Sequence, residues 1–238
     1  MTISDWDVQS LPPLRAGDAE GAFGSTGSTM SGRAMLRTMS DDAPAANVPE
    51  LSRGRRLPNW RDLAENGRAV AGARWYLRHA TSVGPRVRVY GRPIVRNHGT
   101  MIFGERVKLL SNVARLELVA MEGGTLEVGE GTLLNHGGSV CAAERVRIGA
   151  RCLIGPHTMM MDNDFHRIEP ARRYEWPESG PIEIADNVWL GARVIVLRGV
   201  TIGEGSCVGS GSVVVHDVPP YTFASGVPAR VIKDLPVP

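Results

Sequence analysis

The chain is poor in several things that would point elsewhere. Aromatic residues are only 5% of its 238 positions, too few for a large conventional globular core. There are three cysteines, an odd number with no zinc-finger spacing, and Cys152 and Cys207 fall at repeat positions. Free thiols in a reducing compartment, with Cys141 alongside, are therefore expected rather than disulfides. No uninterrupted apolar stretch approaches the ~20 residues of a membrane span. The start, Met1-Thr2-Ile3-Ser4-Asp5, lacks the basic residue and apolar run of a signal peptide, so a cytoplasmic location is expected. The formal net charge is only +2, which does not suggest a nucleic-acid partner.

What is present is a period of six. From Ile184 to Pro219 every block opens on an aliphatic residue: Ile184, Leu190, Val196, Ile202, Val208, Val214. The second place favours a small residue, and the fifth is small or β-branched from Val188 to Val218. A helix at 3.6 residues per turn would scatter these positions around its cylinder. A short strand and a tight corner, repeated, would aim them all at one axis, as in a parallel β-helix of hexapeptides. Gly203, Gly205 and Gly209 resemble a loose nucleotide-binding loop, but no strand-loop-helix pattern surrounds them; corners needing close backbone approach explain them better.

Residues 1–56 form a Gly/Ser/Ala/Pro-rich tail, expected to be mostly disordered. Over 1–50 it sets three Arg against seven carboxylates, net −4. A basic run (Arg53, Arg55, Arg56, Arg61) leads into a helix over about 59–80, with Asn59 as N-cap, Trp60 in the first turn, and Leu63, Val70, Ala73 and Leu77 at helical spacing. Residues 57–84 are read as a helical cap on the open end of the solenoid. A surface over 53–78 that touches anionic lipid, as a weak membrane-surface contact, or a polyanionic glycan carrier is the sharper alternative. The solenoid proper is assigned to 85–238. Its repeat begins irregularly, sharpens at Val128, Leu134 and Val140, slips by two residues, and resumes at Ile148 and Ile154. Residues 160–181 break the pattern and are expected to project as a loop, the usual place for a site on a rigid scaffold. Residues 219–238 leave the repeat as a C-terminal extension.

Of six histidines, His166 lies in that loop, within Asp162-Asn163-Asp164-Phe165-His166. A histidine whose neighbouring carboxylate (Asp164) or amide (Asn163) fixes its tautomer makes a general base. His136, His157 and His166 raise a zinc-hydratase reading of the carbonic-anhydrase kind, but their spacing does not stack in coils of about 18 residues, so no metal is expected.

Four motifs in order resemble the hexapeptide-repeat acyltransferases, and among them the maltose/galactoside acetyltransferase relatives of polysaccharide biosynthesis. They are Asp162–His166, Ile184-Ala-Asp-Asn-Val-Trp-Leu-Gly, Gly199-Val-Thr-Ile-Gly and Ala224-Ser-Gly-Val-Pro-Ala-Arg. The resemblance covers about 84–235. It implies an all-β, left-handed parallel β-helix and a homotrimer with active sites between subunits. It also implies acetyl-CoA as donor and a small sugar or glycan as acceptor. By the same resemblance His166 is the general base, Asn135 and Trp189 face the acceptor, and Ala192 and Ser210 contact the pantetheine arm. Val215 and His216 sit at the CoA end, where the family often has Thr-Lys. Arg230 and Lys233 lie near the nucleotide phosphate. Ala143 replaces an acidic acceptor ligand used by one relative, so acceptor choice is not inherited. The expected reaction is O-acetylation of a sugar hydroxyl, with N-acetylation of an amino sugar or nucleotide-amino sugar close behind. A non-catalytic scaffold is the reading from another class.

Overall fold

The computed structural model describes residues 60–238; the tail 1–56, Arg53, Arg55, Arg56 and the cap Asn59 lie outside them. The helix spans Trp60–Tyr76. It buries Ala69 and Ala73, and Leu77 just past its end, four residues apart and so on one face. A Cβ at Gly72 would lie 3.1 Å from the Val89 carbonyl oxygen, so the helix rests directly on strand Arg88–Gly91. It stops short of the expected 80 because the chain is drawn into the first sheet: Asn97 Nδ2 donates to the His79 carbonyl (2.7 Å) and Thr81 N–H to that of Met101 (2.8 Å).

Beyond it the chain winds as a β-helix of six coils and three sheets. Sheet one stacks Ser82–Val83, Thr100–Phe103, Thr125–Val128, Arg145–Ile148, Ile182–Ile184 and Thr201–Ile202. Sheet two stacks Arg88–Gly91, Lys108–Ser111, Leu133–Leu134, Leu153–Ile154, Trp189–Leu190 and Cys207–Val208. Sheet three stacks Ile94–Asn97, Glu117–Ala120, Ser139–Ala142, Met159–Met161, Ile195–Val196 and Val213–Val214. Every strand of these coils pairs in parallel with the coil above or below, so each backbone bond is satisfied by the neighbouring turn.

The register is the one the period of six demands. Ile184 pairs with Ile202, Leu190 with Val208 and Val196 with Val214, and all six side chains are buried. Burying an aliphatic side chain of this size contributes roughly 1.5–3 kcal/mol before ordering entropy is charged against it. At the fifth place Ser206 and Ser212 are buried too; their hydroxyls donate to the carbonyls of Pro219 (2.6 Å) and Gly209 (2.7 Å). The second-place glycines are corners: a Cβ at Gly191 would stand 2.6 Å from Ser210 N.

Three features differ from the sequence expectation. Met160 belongs to the stack, not the loop: it pairs with Val140 and Val196 and is fully buried, so the excursion runs from 162 to 181. The C-terminal extension rejoins the solenoid. Thr222–Gly226 adds in parallel to Cys207–Val208, and Ala229–Asp234 folds back antiparallel on it. The solenoid also starts earlier than residue 85, with Ser82–Val83.

The two-residue slip does leave the axis intact, since Val128 pairs with Ile148 and Val140 with Met160. Its extra residues form the corner Ala143–Arg145. There the N–H groups of Ala143, Glu144 and Arg145 all point at one buried carboxylate, Asp162, at 2.7, 2.8 and 2.6 Å.

Candidate active site

The excursion 162–181 is pinned at its base before it carries anything. Besides the Asp162 carboxylate, the Asp162 carbonyl accepts the N–H of Gly180 (2.8 Å). Buried Asn163 donates to the Pro177 carbonyl (3.2 Å) and the Ser179 hydroxyl (2.8 Å), and its Oδ1 accepts the Phe165 N–H (2.6 Å). Phe165 then meets Trp176 edge-on, ring centroids 5.7 Å apart. A 20-residue segment with both ends tied in this way presents its tip in a defined place.

His166 is exposed on that segment, and its Nδ1 lies 3.1 Å from the Arg173 carbonyl oxygen. A carbonyl can only accept, so Nδ1 must carry the proton. The lone pair is then on Nε2, the nitrogen left to take a proton from an acceptor. Neither sequence-nominated neighbour touches the ring: Asp164 Oδ2 pairs with Arg198 Nε at 2.6 Å, and Asn163 is spent on the loop base. The orienting group is a backbone carbonyl seven residues away.

The other nominated residues divide between two edges of the prism. Asn135, Ala192 and Ser210 lie at the corner from sheet two to sheet three. There Asn135 Oδ1 accepts the His136 N–H (2.9 Å), and Ala192 N–H donates to Ser210 Oγ (3.1 Å). The His166 loop, Val215 and His216 leave from the next corner, after sheet three. Trp189 is 57% exposed on sheet two, in column with Leu153 and Cys207. Arg230 and Lys233 are exposed on the terminal strand. No hydrogen bond or ion pair joins His166 to any of these; a four-residue strand of sheet three, roughly 13 Å, separates the two edges. On that sheet's outer face Met159, Met161, Ile195, Leu197, Val213 and Val215 are exposed or half-buried.

Cysteine chemistry is disfavoured. Burial, with the nearby Asp162 and Glu117 carboxylates, pushes the Cys141 thiol up to about 11, and burial also raises Cys152 and Cys207. All three stay protonated near neutrality and are poor nucleophiles. His136 and His157 pack edge-on with centroids 5.4 Å apart, on the edge opposite the His166 loop across sheet three. Among the described residues no group of three or more His, Cys, Asp and Glu is arranged to hold a metal, and no helix there is long and apolar enough to cross a membrane.

The family model for the bacterial transferase hexapeptide (six repeats) matches residues 181–216, where the coils are most regular. Over these coils the chain is similar to the hexapeptide-repeat transferases. Over 113 residues it is 34% identical to the galactoside O-acetyltransferase of Escherichia coli (strain K12), covering 48% of this chain and 56% of that one. It spans about half the length of the curated relatives it matches. A hexapeptide-repeat-containing acetyltransferase from Vibrio cholerae O1 biovar eltor, complexed with acetyl coenzyme A, superposes with a TM-score of 0.51 at 27% identity. That match covers 73% of this chain and 87% of that one. A second structure of the Vibrio cholerae enzyme gives 0.52 at 25% identity, covering 73% and 90%.

Proposed function

We propose that this protein is an acetyl-CoA-dependent acetyltransferase acting on a sugar hydroxyl in glycan assembly, with His166 as general base. The observation that carries the reading is the Nδ1 contact with the Arg173 carbonyl, which in the neutral ring puts the lone pair on Nε2, on an exposed, anchored loop. The acceptor hydroxyl gives its proton to Nε2 as its oxygen attacks the thioester carbonyl carbon. Backbone N–H groups hold the oxyanion of the tetrahedral intermediate. Collapse breaks the C–S bond, the imidazolium returns the proton to the leaving sulfur, and acetyl ester and free CoA result. An amino group would follow the same path, so an amino sugar is the second acceptor class.

The division of candidate residues between two edges supports a site shared between copies of the chain, as does the apolar outer face of sheet three. We read that assembly as a homotrimer. The donor runs along Ala192 and Ser210 toward Val215, His216, Arg230 and Lys233, and the acceptor sits near Asn135 and Trp189. In this reading 57–84 caps the transferase unit 85–238, and the protein works in the cytoplasm.

The test is acceptor-dependent free-thiol release from acetyl-CoA across sugars and nucleotide sugars, wild type beside His166→Ala. Loss of two or more orders of magnitude is expected, the scale of general-base removal. Equal rates would remove His166 from the chemistry and favour a scaffold.

A further inference from the structure

The chain's small net charge hides a strong polarity along the solenoid. Residues 60–124, the helix and the first two coils, hold eleven Lys and Arg against five carboxylates, Asp62, Glu65, Glu105, Glu117 and Glu122, a net of +6 in a protein whose total is +2. These charges are almost wholly unneutralised. Arg86 and Arg106 share Glu105 at 3.5 and 3.8 Å. Among the described residues no other basic side chain at this end lies within ion-pairing distance of a carboxylate. Farther along, by contrast, Arg145 and Arg147 interleave with Glu127 and Glu183 on the outer face of sheet one.

The repeat lines these charges up. Arg86 and Arg106 occupy equivalent left-handed corners of coils one and two (φ 58° and 59°). Arg88 and Lys108 are paired on the outer face of sheet two. Arg92 and Arg115 flank the next corner, where Arg115 Nε donates to the Arg92 carbonyl (3.2 Å). Coil two carries extra residues at that corner, and they open a cleft of about 690 Å³ lined by Arg92, Ser111, Asn112, Val113 and Arg115.

We infer that this basic belt binds an anionic glycan chain, a polysaccharide bearing carboxylate, sulfate or phosphate groups, and that such a polymer is the acceptor class. The inference rests on the proposed sugar acetylation for the identity of the polymer, and on the belt alone for its charge. Guanidinium groups suit oxyanions because their forked donors match them bidentately. The belt runs from one corner, over the face of sheet two, to the next corner. A flexible chain can follow that path, whereas a flat bilayer can meet only one plane of it. The belt lies on coils one and two and the His166 loop leaves coil four, about 10 Å farther along at one strand spacing per coil. A polymer can therefore be held at the belt while another of its units is acetylated.

The experiment is fluorescence anisotropy of the full chain with a fluorescein-labelled oligogalacturonate of about 20 sugars. The comparison arms are neutral dextran of similar length, a DNA strand of equal charge, and vesicles containing phosphatidylglycerol. Binding to the polyuronate at low salt, weakening steeply with salt and absent for dextran, is expected. The triple variant Arg92→Gln/Lys108→Gln/Arg115→Gln should lose at least tenfold in affinity, single Arg92→Gln a smaller factor, and Arg151→Gln on coil four nothing. Far-UV circular dichroism checks the fold, and the single variant decides should the triple one not fold. Equal binding of dextran, wild-type affinity in the belt variants, or tighter binding of DNA or vesicles than of polyuronate would overturn the inference. No polyuronate binding by the wild-type chain, with thiol release from another acceptor intact, would strike this inference alone. Polyuronate binding without thiol release from any acceptor would strike the proposed reaction instead.

Discussion

Replacing Asp162 by Asn tests how the loop is held. The side chain is fully buried, and its two oxygens accept three backbone N–H groups within 2.8 Å. Asn has the same shape but one acceptor oxygen, so its amide would turn a donor toward at least one of those donors. A hydrogen bond to a charged group is worth about 1.5–3 kcal/mol, and an orphaned buried donor costs about 1–3 kcal/mol. Glu144 and Arg145 are exposed residues, so water can recover part of the loss. The net expectation is about 2–4 kcal/mol, read by urea denaturation with an unchanged m-value. Hydrogen exchange should report faster exchange at the amides of Ala143, Glu144 and Arg145. Because His166 is four residues beyond the anchor, kcat should fall while KM for acetyl-CoA holds. The Cys141 thiol, raised partly by this carboxylate, should also titrate lower. A stability change below about 0.5 kcal/mol with unaltered exchange would refute the assignment.

Two glycines separate strain from crowding. Gly137 and Gly123 both have φ above +70° or at it, yet a Cβ at Gly137 would stand 2.3 Å from His157 Nδ1 whereas Gly123 has nothing within 4 Å. Gly123→Ala should cost about 1–2 kcal/mol, the left-handed penalty alone, and Gly137→Ala measurably more; equal midpoints in urea would refute the steric part. Alkaline pH gives a further handle. The Cys141 thiol is raised from 9.0 to about 11, so above pH 9 the unfolded chain sheds a proton that the folded one keeps. Stability should fall as pH rises from 9 to 11, by up to about 3 kcal/mol, and Cys141→Ala should flatten that slope in melting curves.

The solenoid was legible in the sequence because its constraint is periodic. A six-residue unit fixes which side chain meets the axis, and every block-opening residue from Ile184 to Val214 does so. Irregular parts were less legible for a physical reason. Met160 reads as the first residue of a polar loop, but strand pairing with Val140 and Val196 holds it in the core. The group that sets the His166 tautomer is a backbone carbonyl, which every residue possesses, so no side-chain pattern could single out Arg173. Asp164 and Asn163 were the neighbours with suitable chemistry, and local spacing favoured them; the fold uses one for Arg198 and the other to tie the loop.

Register also explains why the site residues separate. Asn135 follows Leu134 by one position, and Ala192 and Ser210 follow Leu190 and Val208 by two, so all three fall at the corner after sheet two. Val215 follows Val214, and the His166 loop begins two positions beyond Met160, so both fall after sheet three. Counting in sixes is therefore enough to put His166, the proposed base, and Asn135, Ala192 and Ser210, the proposed acceptor and pantetheine contacts, on opposite edges of one sheet. A lone chain would have to fold its loop back across the full width of that sheet to unite them. Its base instead ties the loop down at the edge it leaves from, through Asp162 and Gly180. The homotrimer proposed above would bring the edge of a second copy to the loop, and the sheet between the edges, faced with Met159, Met161, Ile195 and Leu197, has the apolar surface such a contact would cover.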